Sequence, residues 1–196
     1  MGRSARRVAL DCLVACERQG AWSDGYLRRA IREAGLDGRD AGLCTQLAFG
    51  VQQNLLLLDW HLNRFSNTLV DKLESAIRAD LRLGLYQLLF LDRVPAHAAV
   101  SEAVSLARAC SRNPRAAALV NAVLRAAQRA VEAGELPQPE SLSIRYSHPQ
   151  WLVEEFSRCL PQEELEPLLR ADNHPTDTCA QVNTCRFSTE EVLEAL

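Results

Sequence analysis

The side chains able to do chemistry are sparse in this chain, and their spacing excludes most reactions. Seven cysteines (Cys12, Cys16, Cys44, Cys110, Cys159, Cys179 and Cys185) include no C-x-x-C pair. The four histidines, His61, His97, His148 and His174, fall in separate segments with no H-E-x-x-H or H-x-x-x-H pairing. An odd set of thiols without histidines at ligand spacing argues against a metal site and a disulfide framework, and for reduced thiols in a cytosolic protein. Cys12 and Cys16 lie one helical turn apart, where a small, rather apolar thiol fills a core. Cys179 in D-T-C-A and Cys185 in N-T-C-R have only Arg186 nearby to lower a thiol pKa, and both are read as structural. The carboxylate pairs Glu154-Glu155 and Glu163-Glu164 are sequence neighbours on polar helix faces, which suits solvated charge rather than an acid–base dyad.

What remains is anion chemistry. Arg3, Arg6 and Arg7 crowd the start of a helix predicted over residues 4–18, where the helix dipole favours negative charge, so an anion would relieve the cost. Two readings stand: a patch that contacts RNA phosphates, or a solvated helix end. All but one of the 22 basic residues are arginine, Lys72 being the exception. Arginine's planar fork suits phosphate better than lysine's point charge does, although an arginine-rich codon usage gives the same composition. The net charge of −3 hides a split. Residues 1–130 carry 18 basic against 12 acidic side chains, whereas residues 131–196 carry 4 against 13. A basic front and an acidic back point to two units.

These residues must be positioned by helices. The first helix turns Val8, Cys12, Leu13 and Cys16 inward. A turn over residues 20–25 leads to a short helix at Tyr26 to Ala34, and Gly35 and Gly38 bracket the next turn. A long buried helix is predicted from Arg39 to Asn63, striped by Leu43, Leu47, Val51, Leu55, Leu58 and Leu62, with His61 packing beside Trp60. Residues 71–79 read as a short helix. Residues 81–125 then read as three helices, with Pro95 ending the first and Asn113-Pro114 the second, because proline lacks a backbone donor and restricts its predecessor. No strand-length alternation occurs before residue 140, so the first 130 residues are predicted all-α. At 196 residues the chain can hold one domain and part of another. No apolar run is long enough to span a bilayer and no signal peptide opens the chain, which places the expectation in the cytoplasm, without a membrane partner.

The segments LRLGLYQLLF, VPAHAAVSEAVSLAR and ALVNAVLR, with QLAFGVQQNLLLLDWHL upstream and the arginine-led first helix, resemble the NusB family of all-helical RNA-binding domains over residues 3–131. Beyond the linker at residues 134–139, IRYSHPQWLVEEF and LLRADNHPTDTCAQVN are similar to the segment that follows the NusB-like domain in the RsmB (Sun/Fmu) 16S ribosomal RNA cytosine-5 methyltransferases. The resemblance implies an all-α, NusB-like bundle of about seven helices at residues 1–133, a linker at 134–147, and a mostly helical, incomplete second unit at 148–196.

It also implies that the parent protein methylates carbon 5 of a cytosine with S-adenosylmethionine and two cysteines. Only Gly84 and Gly134 lie beyond Gly50, so a glycine-rich cofactor turn has no candidate here and the expected cofactor of this chain is none. Cys179 and Cys185 precede the place where a catalytic domain would begin. STEEVLEAL reads as an opening helix capped by Ser188, and a candidate strand at residues 180–184 has no partner strand; the expectation is an amino-terminal fragment whose partners are ribosomal RNA and its own missing catalytic domain. The RNA-contact candidates are Arg3, Arg6 and Arg7, with Arg115 at the start of the last bundle helix. Leu119 stands where the family's F-V-N motif carries an aromatic, which removes a stacking platform, and Asn121 is read as a helix-packing hydrogen bonder. A free-standing NusB-type antitermination factor, or a bundle that only binds proteins, are the alternatives.

Overall fold

The computed structural model describes residues 3–20, 23–174 and 179–195, and every regular element among them is helical. The predicted turn over 20–25, the D-T context of Cys179 and the last residue of STEEVLEAL lie partly or wholly outside the described residues.

Helix α1 (Ala5–Gln19) begins where Ser4, in an extended conformation, accepts the Arg7 N–H on its hydroxyl, an ordinary N-cap. It presents Val8, Cys12 and Leu13 to the core. Helix α2 (Ser23–Ala34) is a short amphipathic helix anchored by Leu27.

The long helix expected from Arg39 to Asn63 is two helices, α3 (Gly38–Gln53) and α4 (Leu55–Phe65). The break is made by Asn54, whose backbone N–H and side-chain amide both donate to the Gly50 carbonyl, at 3.1 and 2.9 Å. A side-chain amide competing for a helical carbonyl ends a helix that apolar periodicity alone would continue.

The short helix expected over residues 71–79 is also absent. Val70–Lys72 forms a single 3-10 turn, and α5 (Ser75–Phe90) runs without interruption through residues 79–81. Helices α6 (Ala96–Cys110) and α7 (Ala116–Glu132) follow. Pro95 does not end α5, which stops at Phe90; Pro95 sits at the N-cap of α6, where its missing N–H costs nothing.

α5 is the centre of the bundle. Leu81, Leu83 and Leu85 are fully buried, and α1, α3, α4, α6 and α7 pack around it. Each such leucine contributes roughly 1.5–3 kcal/mol of burial. Two close approaches let the helices meet: Gly50 faces the Tyr86 ring and Gly84 faces Leu124. α1 runs antiparallel to α5 and is riveted at both ends, Arg18 Nε donating to Ser75 Oγ (2.6 Å) and Arg6 Nε to Gln87 Oε1 (2.7 Å).

Beyond the bundle, α8 (Leu142–Arg145), α9 (Gln150–Cys159) and α10 (Gln162–Asp172) form a small satellite core of Val153, Leu165 and Leu169. α11 (Thr189–Ala195) opens with Ser188 and Glu191 bonding reciprocally to each other's backbone N–H, a capping box. The candidate strand at residues 180–184 is irregular. Among the described residues it has no strand to pair with, and an unpaired strand leaves its backbone groups to water.

Candidate nucleic-acid interface

Three arginines of the first helix read as one patch in the sequence, and the structure separates them. Arg3 and Arg7 share a stripe with Asp11, Arg3 Nη1 lying 3.7 Å and Arg7 Nε 3.0 Å from its carboxylate. Arg3 stays open, its side chain 68% exposed. Arg6, one position off that stripe, turns toward α5 and its bond to Gln87. Ser4 and Asp11 together supply part of the negative charge and acceptor capacity that this helix end needs.

Arg7 connects two regions far apart in sequence. Its Nη1 lies 3.2 Å from Cys110 Sγ, at the last residue of α6. The α6–α7 turn follows directly, organised by Asn113, whose side-chain oxygen accepts the Arg115 N–H (2.9 Å) while its own N–H donates to Ser111 Oγ (3.1 Å). Arg112 and Arg115 flank that turn and are exposed. The turn itself sits beside Glu74 and Ile77 at the start of α5, whereas the α1 start lies beside Gln87 near the end of α5, so the four arginines do not share one end: Arg7 links the α1 stripe to the end of α6, and Arg112 and Arg115 follow at the turn. Sequence reasoning does not single out Arg112; its signal is the S-R-N-P-R turn, in which a turn-forming Asn-Pro pair sits between two cations.

A cavity of about 250 Å³ opens beside Arg115, floored by Leu73, Ile77 and Leu119 and edged by Glu74 and Asn113. Leu119 supplies an aliphatic wall there. Asn121 is not a helix-packing residue: it is exposed on α7, because the buried stripe of that helix runs through Val120, Val123, Leu124 and Ala127.

The larger cavity, about 670 Å³, lies between α1, α3, α4 and α5 and is lined by Leu13, Val51 and Leu55 together with Arg78 and Arg82. Its cations are already consumed. Arg82 grips Asp59 with two bonds of 2.7 Å and reaches Glu17 at 3.2 Å, while Arg78 pairs with Glu17 and donates to the carbonyls of Val70 (3.1 Å) and Asp71 (2.8 Å). The hydrogen bond from Arg78 holds the Glu17 carboxyl below its usual range. A guanidinium with its donors so committed has few left for phosphate. Arginine count alone does not locate an anion site.

Titratable groups elsewhere are inert or structural. Burial pushes the thiols of Cys12 and Cys44 up to about 12 and about 11. Cys179 and Cys185, read from the sequence as structural, are exposed. His61 is buried edge-on to Trp60, with ring centroids 5.0 Å apart, and burial lowers its pKa to about 4. Among the described residues no three His, Cys, Asp or Glu side chains are grouped to hold a metal ion.

S-adenosylmethionine does not fit the described residues. A glycine-rich turn at the end of a strand would be needed, yet Gly84 lies inside α5 against Leu124 and Gly134 ends α7 in a left-handed turn.

The fold defines an all-helical bundle with a helical unit appended. The chain belongs to the NusB family, whose model matches residues 3–129. Residues 148–196 match the model described as "Methyltr_RsmF/B-like, ferredoxin-like domain". The probable ribosomal RNA small subunit methyltransferase B of Bacillus subtilis is 33% identical over 197 residues, covering 98% of this chain and 43% of that protein. The protein of the same name from Synechocystis is 34% identical over 196 residues, covering 98% of this chain and 44% of that protein. This chain thus spans less than half the length of the curated relatives it matches. Among solved structures, PH0851 shares the fold over 99% of this chain and 44% of its own, with a TM-score of 0.66 at 18% identity. NusB in complex with NusE and double-stranded RNA shares it over 64% of this chain and 94% of its own, with a TM-score of 0.59 at 21% identity. No helix among the described residues is long and apolar enough to cross a membrane.

Proposed function

We propose that this chain is the RNA-positioning region of an S-adenosylmethionine-dependent ribosomal RNA cytosine-5 methyltransferase. The bundle, residues 1–133, engages ribosomal RNA, and the unit from residue 148 onward leads toward the catalytic domain that performs the methyl transfer in the parent protein. The observation that carries the RNA part is that Arg3, Arg112 and Arg115 stay exposed, with Arg7 linking the α1 stripe to the end of α6, while Arg6, Arg18, Arg78 and Arg82 are spent inside the fold. Arg6 instead fixes the start of α1 on α5 through Gln87. With Leu119 in place of an aromatic, recognition rests on phosphate contacts rather than base stacking. The match of residues 148–196 to a methyltransferase-associated domain favours this reading over a free-standing antitermination factor.

A salt titration tests it. Replacing Arg3, Arg7 and Arg115 with Ala should weaken binding to a ribosomal RNA fragment and lower the slope of log K against log salt by about 0.7 to 0.9 for each phosphate left without its cation. Replacing Arg78 and Arg82, the spent pair, should leave the slope unchanged. An unchanged slope in the triple variant would sink the assignment.

A further inference from the structure

We infer that Ser147, with Gln53 and Asn173, is a latch that seats the second unit on the bundle in one fixed orientation. The bundle carries the receiving half. Asn54 occupies the N-cap of α4, but its side chain is turned back onto the Gly50 carbonyl and makes no bond to the helix it precedes. The first N–H groups of α4 thus lack their ordinary partner. One arrives from 90 residues away: the Leu57 N–H, which a cap side chain would normally satisfy, donates to Ser147 Oγ at 3.1 Å.

The second unit is shaped to make this delivery. Ser147 is the only non-glycine residue with positive φ among the described residues, at 56°, a conformation side chains avoid unless the surroundings impose it. Its neighbours impose it. The Tyr146 carbonyl accepts from Asn173 Nδ2 (2.8 Å) and lies 2.8 Å from His148 Nδ1, whose Nε2 is 3.0 Å from Asp172. Ser143 Oγ donates to the His148 carbonyl at 2.6 Å. The residue so held beside Tyr146, Asn173, meets the bundle a second time, because Gln53 Nε2 donates to its carbonyl (3.1 Å) and its side-chain oxygen (3.3 Å).

The α3–α4 break is therefore gripped at both of its ends, at Gln53 and at Leu57, by two sequence-distant points of one hydrogen-bonded loop cluster. With α8 packed on α4, two such points restrain rotation as well as contact. Resting on the RNA-positioning role proposed above, the consequence is that RNA held by the bundle's exposed arginines stands at a constant offset from whatever the second unit carries. Ser147, Gln53 and Asn173 are positioning residues; they touch no substrate.

Backbone 15N relaxation on the 196-residue chain tests the latch without labelling its cysteines. Amides of α1–α7 and of α8–α10 should share one rotational correlation time. The double variant Ser147→Ala, Gln53→Ala should split it, with the shorter value in α8–α10, while the thermal midpoint of the bundle stays near that of the parent and its RNA affinity is unchanged. Ser147→Asn, which keeps an acceptor and tolerates positive φ, should restore the single value. Two correlation times in the parent chain, or one in the double variant, would overturn the latch. A parent chain that tumbles as one body but binds no ribosomal RNA would overturn the functional reading and leave the latch standing.

Discussion

Gly50→Ala is the substitution whose outcome the packing dictates most directly. Gly50 lies in α3, and a Cβ added there would overlap the Cζ and hydroxyl of Tyr86 and stand 2.6 Å from its Cε2. The ring has little room to yield: Tyr86 is 7% exposed and stacks on Phe90 with centroids 5.1 Å apart. Overpacking of this kind costs about 1–3 kcal/mol. Against it stands the gain of replacing glycine by alanine in a helix interior, about 1 kcal/mol. The same helix supplies the control, since Gly42 meets nothing within 4 Å and Gly42→Ala collects the propensity gain alone. Propensity cancels between the two variants, so their difference in unfolding free energy, about 1–3 kcal/mol in favour of Gly42→Ala, isolates the clash with Tyr86. Urea unfolding at constant m-value measures it. If Gly50→Ala is as stable as Gly42→Ala, α3 and α5 do not meet as closely as the missing Cβ implies.

Two further predictions concern buried groups. Asp80 is fully buried without a hydrogen-bond partner, and desolvation raises its pKa to about 8, so the folded protein holds a proton that the unfolded chain releases near pH 4. Its contribution is complete below about pH 4 and is lost as pH rises toward 8; Asp80→Asn should flatten the fall of the thermal midpoint over that window, and an unchanged pH slope would show that the carboxyl titrates normally. A disulfide-exchange reagent at about pH 8 should react promptly with the exposed thiols of Cys159, Cys179 and Cys185 and reach Cys12 and Cys44 only at the rate of global unfolding. Prompt labelling of Cys12 or Cys44 in the native protein would contradict the burial of the α1–α3 interface.

Periodicity and short-range chemistry suffice for the helical class, the first helix, the amphipathic stripes of α5–α7 and the Ser188-capped start of α11. Each depends on residues within a turn or two of one another, which a local reading sees. Several motifs in register likewise carry the family resemblance. The break at Asn54 escapes such a reading because leucine spacing continues across it, while its cause is a side chain choosing the Gly50 carbonyl. The continuity of α5 through residues 79–81 escapes it too, because no local signal separates a helix start at Ser75 from one nearer Asp71.

Which arginines are free is a matter of long-range packing. Arg3 and Arg6 differ by three positions, yet one is open and the other is held by Gln87, 81 residues away. Arg78 and Arg82 look as available in the sequence as Arg112 and Arg115, and Glu17 and Asp59 consume them. Ser147 is one polar residue in a linker until Leu57 gives it a partner. A side chain's composition and spacing fix what bonds it can make; which bond it makes depends on groups brought within about 3 Å by the packing of distant helices, and that distance is written nowhere in the local sequence.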